Sequence, residues 1–182
     1  MKKKWEILIL TAVIAVSLLL PAQTALGATT VPVTLPAFNV TLNGVEIDND
    51  RSSYPLLVYK DITYFPMTYY DSRFLGLESS WNAQRGLAVV KTGATWDYHP
   101  YRSNSPHRSA YTAQVAGFPI TVNGRRVDNR SEEHPLLLFR NVTYFPLTWR
   151  FAVDEFGWGY SFDSAGGLVI DSAAAGIAAG QL

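Results

Sequence analysis

Short runs of alternating apolar and polar residues recur along this chain, and they recur twice in the same order. "FNVTLNGVEIDN", starting at Phe38, and "FPITVNGRRVDN", starting at Phe118, each set two alternating runs around Asn-Gly. A period of two marks a half-buried strand, and Asn-Gly between two such runs is the strongest short signal for a two-residue hairpin turn. After a variable loop, "PLLVYKDITYFP" and "PLLLFRNVTYFP" carry β-branched and aromatic residues on both sides of Lys60-Asp61 and Arg140-Asn141, which predicts a second hairpin in each copy. Proline cannot donate to a strand ladder but suits the first turn of a helix. Pro66 and Pro146 therefore predict helices over 67–75 and 147–156, closed by Gly76 and Gly157 as C-terminal caps. "LESSWNAQRGLAVVKT" and "WGYSFDSAGGLVIDS" then predict a third hairpin per copy.

Laid over each other at a shift of 80, positions 38–75 and 118–155 share 14 identities in 38 positions, and one inserted residue moves the later part to a shift of 81. A repeat of this kind sets the domain count before anything else. The expected fold class is α+β: two tandem repeats, each an antiparallel sheet with one short helix packed on it. The repeats span 35–92 and 117–172, with a linker over 93–116 and an Ala/Gly-rich tail over 173–182. A unit of about 55 to 60 residues is marginal alone without disulfides, so the two copies are expected to pack together. No cysteine occurs in the chain, so stability rests on packing.

The first 27 residues read differently. Three lysines, an apolar run, Pro21 and small residues at Ala25 and Gly27 predict a cleavable signal peptide over 1–27, with Ala28 first in the mature chain. The apolar run is short against the roughly 20 residues a spanning helix needs. The expectation is a bacterial protein that is secreted or held at the cell envelope, free of the membrane after cleavage. Lysine plus arginine and aspartate plus glutamate number 15 each; the leader takes three lysines and Glu6, leaving 12 against 14. Such a balance offers no field for nucleic acid.

These residues resemble the copper amine oxidase N-terminal domain-like, or stalk domain, family. The resemblance is carried by "LNG", "YPLLVYKDITYFPM", "FLGLESSWN" and "GLAVV", and again by "VNG", "HPLLLFRNVTYFPL", "EFGWGYSFD" and "GLVI". Thr68 and Thr148 stand where the family tends to place an arginine, and Trp81 keeps an aromatic that becomes Phe162 in the second copy. The resemblance implies an accessory module that binds no copper, since in amine oxidases the metal belongs to a separate catalytic domain.

No catalytic constellation emerges from the residues themselves. His99, His107 and His134 sit in the linker and a variable loop at spacings that suit solvated side chains better than converging ligands, so no metal or other cofactor is expected. Ser161 near Asp163 lies in a strand turn, not at a strand-to-helix elbow, and Glu132-Glu133 is Ser52-Ser53 in the other copy. Aromatics are the remaining lead. Tyr69, Tyr70, Trp149, Trp158 and Trp96 are the candidate ligand-binding residues, because sugar rings stack on exposed aromatic planes. The bulk of Tyr69 and Trp149 equally suits a wide helix–sheet seam, the commoner use of such residues. The function expected is a non-catalytic spacer or binding module for wall polymer, extracellular polysaccharide or an envelope protein. The alternative is a small secreted hydrolase with its site between the repeats.

Overall fold

The hairpin turns lie where the alternation places them. In the computed structural model, Asn43-Gly44 has φ of 49° and 76°, Asn123-Gly124 49° and 79°, Lys60-Asp61 47° and 63°, and Arg140-Asn141 48° and 63°. Two consecutive positive values define the turn whose twist matches its flanking strands. The structure describes residues 28–173; the expected signal peptide and residues 174–182 of the tail lie outside the described residues. The first copy contributes β1 (Thr30–Thr34), β2 (Val40–Leu42), β3 (Val45–Glu46), β4 (Leu57–Tyr59), β5 (Ile62–Pro66), α1 (Tyr69–Phe74), β6 (Leu77–Asn82) and β7 (Gly86–Lys91). The second contributes β8 (Ala110–Val115), β9 (Ile120–Val122), β10 (Arg125–Val127), β11 (Leu137–Phe139), β12 (Val142–Pro146), a π-helix (Arg150–Glu155), β13 (Gly159–Asp163) and β14 (Gly167–Asp171).

Partner choice overturns the expected α+β pair of tandem repeats, each with a sheet of its own and one helix on it. The chain is mostly β, 42% strand against 11% helix. A closed six-stranded barrel runs β1-β4-β5-β12-β11-β8, three strands from each copy. The barrel closes at two seams, where Pro32 faces Thr112 and Phe65 faces Phe145. Both pairs are 80 residues apart, so a pseudo-two-fold axis relating the copies passes through both seams. The other hairpins are exchanged: β9–β10 of the second copy joins β6–β7 of the first, and β13–β14 of the second joins β2–β3 of the first. Each joint is parallel, with Leu87 opposite Ile120 and Leu168 opposite Val40. Strands β1 and β8 precede the expected repeat starts at 35 and 117; β8 lies in the stretch read as linker.

Residues shared by the copies hold this exchange together. A Cβ on Gly86 would stand 1.9 Å from the Pro119 carbonyl oxygen, and one on Gly167 2.0 Å from that of Asn39. Those carbonyls accept from the backbone N–H of Leu87 and Leu168, each at 3.0 Å. Asn43 donates to the Phe74 carbonyl in its own copy and accepts from the Ser172 N–H in the other. Asn123 does the same with Glu155 and Lys91.

The phrase Thr-Tyr-Phe-Pro recurs because β5 and β12 are buried on both faces. Tyr64 and Tyr144 fill the barrel with Val33, Leu57, Ala113 and Leu137, while Phe65 and Phe145 turn the other way, into the larger core beneath the two sheets and the helices. Pro66 and Pro146 end these strands and do not open the helices. The ladder is continued past each proline by Met67 N–H to the Thr143 carbonyl and Leu147 N–H to that of Thr63, both 2.8 Å. Helix α1 begins only at its cap, Thr68, whose hydroxyl accepts from the Asp71 N–H. The residue inserted in the second copy is absorbed as a π turn, with Phe156 N–H bonded to the Phe151 carbonyl five residues back.

Candidate functional site

The segment after β7 is a strap laid across α1 and the first variable loop. Trp96 N–H donates to the Arg73 carbonyl at 3.1 Å, Ser53 N–H to Tyr101 at 2.7 Å and Ser103 N–H to Arg51 at 2.8 Å. Arg102 pairs with Asp48 at 2.8 Å. Tyr98 packs on Phe74 with ring centroids 5.0 Å apart. This strap carries its aromatics to those that follow β5. Tyr69 meets Tyr70 at 5.2 Å and Trp96 at 5.9 Å, and Tyr70 meets Tyr101 at 5.6 Å, which in turn meets Tyr54 at 5.4 Å. The Arg73 guanidinium lies 3.7 Å from the Tyr69 ring centre and is paired with Glu78. The result is a continuous row of rings from Trp96 to Tyr54.

The inner side of this row borders an open groove of about 640 Å³ between the barrel and the β6–β7 hairpin. Tyr54, Tyr69 and Tyr101 line one part of it, Trp81 and Phe118 another, and Thr68, Ser79, Ser80, Asn141 and Thr143 supply hydroxyl and amide groups. No charged side chain is among its lining residues. Rings with interspersed neutral hydrogen-bonding groups are what a sugar chain needs, faces for its C–H groups and partners for its hydroxyls.

Tyr69 and Trp149 are 51% and 55% exposed, so neither fills the helix–sheet seam; Tyr70 and Trp96 are exposed as well. Trp158 is 2% exposed, with its Nε1–H donated to the Leu75 carbonyl of the other copy at 3.2 Å, and it drops out as a ligand contact. Tyr69, Tyr70 and Trp96 come together, while Trp149 belongs to the other side of the pseudo-two-fold. Tyr54, Trp81 and Phe118 were missed, and only the exchange of hairpins brings Phe118 to Trp81, 4.8 Å between centroids.

Asp71 was also missed. It is 8% exposed, beneath the strap, and accepts from the Thr68 hydroxyl at 2.5 Å. Burial pushes its carboxyl up to about 6, against the pull of that hydrogen bond. Burial, and then the nearby Asp71 charge, push Tyr98 up to about 12 and raise Tyr101. A signal existed in the repeat, since the second copy places Phe151 where the first has this carboxylate. His99 lies against Tyr70, and His107 Nδ1 is 2.9 Å from the Tyr111 hydroxyl. Among the described residues no group of three or more His, Cys, Asp or Glu could hold a metal ion, and no helix is long and apolar enough to cross a membrane.

No family profile matches the chain, and no curated protein and no solved structure shows significant similarity to it.

Proposed function

We propose that this chain is a non-catalytic module of the bacterial exterior that binds uncharged polysaccharide along the groove between the barrel and the β6–β7 hairpin. The observation that carries this reading is the groove itself, edged by Tyr54, Tyr69, Tyr101, Trp81 and Phe118 and furnished with neutral hydroxyl and amide groups. The resemblance of both copies to stalk domains, and the leader expected over 1–27, support an exported accessory role. Hydrolysis is the rival, and glycoside cleavage canonically uses two carboxyl groups flanking the scissile bond. The groove lining contributes none, and buried Asp71 faces Thr68 and the strap tyrosines.

The test is retention on insoluble polysaccharides and on purified cell wall. Tyr69→Ala and Tyr101→Ala are each expected to weaken binding by at least about tenfold, a loss of roughly 1.4 kcal/mol or more, with melting temperature preserved. Retention unaffected by both substitutions would refute the groove; release of reducing sugar by the purified protein would favour the hydrolase.

A further inference from the structure

The pseudo-two-fold that closes the barrel also duplicates the groove's position. At the shifts of 80 and 81, Tyr69, Trp81 and Phe118 correspond to Trp149, Phe162 and Phe38, and Thr68, Ser80 and Asn141 to Thr148, Ser161 and Asp61. The correspondence holds in space for the aromatic wall of the hairpin. Phe38 and Phe162 meet edge to face at 5.2 Å and 82°, as Phe118 and Trp81 do at 4.8 Å and 87°. Trp149 and Phe162 are both exposed, like Tyr69 and Trp81. Two scaffolds of one architecture thus present an aromatic wall from a hairpin and an aromatic residue from a helix start, with a threonine between strand and helix.

Charge narrows the occupant. The arginine beside each site is already paired, Arg73 with Glu78 and Arg150 with Glu132. Among the counterparts of the groove's lining residues, the second site has one carboxylate, Asp61, which faces solvent, and one histidine, His134, in the place of Tyr54. Both sites therefore suit an uncharged polymer and disfavour an anionic one. Their placement also follows from the fold. Strands β5 and β12 are antiparallel neighbours, so Tyr69 and Trp149, which follow them, leave from opposite ends of the pair. A single short segment of polymer does not run through both sites.

We infer that the chain carries a second polysaccharide site at Trp149, Phe162 and Phe38, and that with the groove it makes the protein a bivalent cross-linker of neutral glycan chains. This rests on the glycan reading of the groove. The strap residue Tyr101 has no counterpart among the described residues on the second side, so that site is the more open and the weaker of the two. Joined on one scaffold, two modest sites gain avidity without new contacts, by a factor of about 100 or more when both can engage.

The experiment uses the purified protein with cellohexaose for stoichiometry, and with hydroxyethyl cellulose, galactomannan and polygalacturonate for cross-linking followed by light scattering. Expected are two cellohexaose sites per chain and cross-linking of an uncharged polymer but not of polygalacturonate. Trp149→Ala and Phe162→Ala should each leave one site, abolish cross-linking and lower apparent affinity for the polymer about 100-fold; Tyr69→Ala should leave the other site. One site in the wild type, lost with Tyr69→Ala and indifferent to Trp149→Ala and Phe162→Ala, would overturn the second site and leave the groove standing. No binding of any uncharged glycan would overturn the groove reading and this inference together. Melting temperatures within about 3 °C of wild type keep the comparison valid; should Phe162→Ala fall outside that range, Trp149→Ala, at an exposed position, decides alone.

Discussion

A carboxyl group buried under a strap makes stability depend on pH in a direction opposite to that of most surface acids. Asp71 rises from 3.8 to about 6 on folding, because burial disfavours its ionised form more than the Thr68 hydroxyl favours it. Below pH 4 the group is protonated both folded and unfolded, and its contribution is neutral. Between pH 4 and 6 the unfolded chain releases this proton while the folded chain keeps it, so the unfolded state gains and stability falls. Above pH 6 both states are ionised and the loss is complete. A shift of about two pKa units corresponds to roughly 3 kcal/mol, a large share of the 5 to 15 kcal/mol typical of a domain. Asp71→Asn keeps an acceptor for Thr68 and removes the charge. Its amide adds a burial cost of about 1 to 3 kcal/mol, which is the same at every pH. Urea unfolding of both proteins from pH 4 to 8 isolates the effect as a difference of differences. The variant should gain about 2 to 3 kcal/mol on wild type between pH 4 and 8. Parallel curves, within about 0.5 kcal/mol across the range, would refute the argument.

Two further expectations concern the exchange of hairpins. Gly86→Ala and Gly167→Ala should each destabilise by about 3 kcal/mol or more, since a Cβ at either position collides with a carbonyl oxygen of the other copy on top of the positive-φ strain. Gly124→Ala, with nothing within 4 Å, should lose only about 1 to 2 kcal/mol by urea melting; equal effects at all three positions would contradict the seam. A protease site placed at Asn104, exposed on the strap, should give a nicked protein that still elutes as one particle in native buffer. Its melting temperature should then rise with protein concentration, because the halves hold each other through shared sheets. Fragments that part on a sizing column, each keeping a cooperative melting transition of its own, would show that each repeat folds alone.

The local grammar of this chain was legible in its residues. Asn43-Gly44, Asn123-Gly124 and the Lys60-Asp61 and Arg140-Asn141 pairs all form the turns their neighbours predict, and Gly76 and Gly157 follow their helices with φ of 70° and 63°. These features depend on backbone sterics within a few residues, which is information a linear sequence holds. Prolines were less decisive. Pro66 and Pro146 satisfy the helix-start rule and the strand-end rule alike, and the cross-copy ladder through Thr63 and Thr143 settled the matter in favour of the strand.

Which hairpin joins which was beyond the sequence, because the repeat makes the two answers equivalent. Val40 to Leu42 meets the same apolar pattern in Leu87 to Val89 as in Leu168 to Ile170, so alternation and register permit pairing within a copy or across copies. Only closure of the barrel, with Phe65 against Phe145 and Pro32 against Thr112, sends each terminal hairpin to the other copy. The candidate site inherits that ambiguity. Tyr69, Tyr70 and Trp96 could be singled out as aromatic, but whether they faced solvent, and that Phe118 would stand beside Trp81 from the other repeat, depended on contacts between residues far apart in the chain. The sequence determined the elements and their turns, which short-range sterics govern; the tertiary structure decided partners and exposure, because those depend on the chain closing on itself.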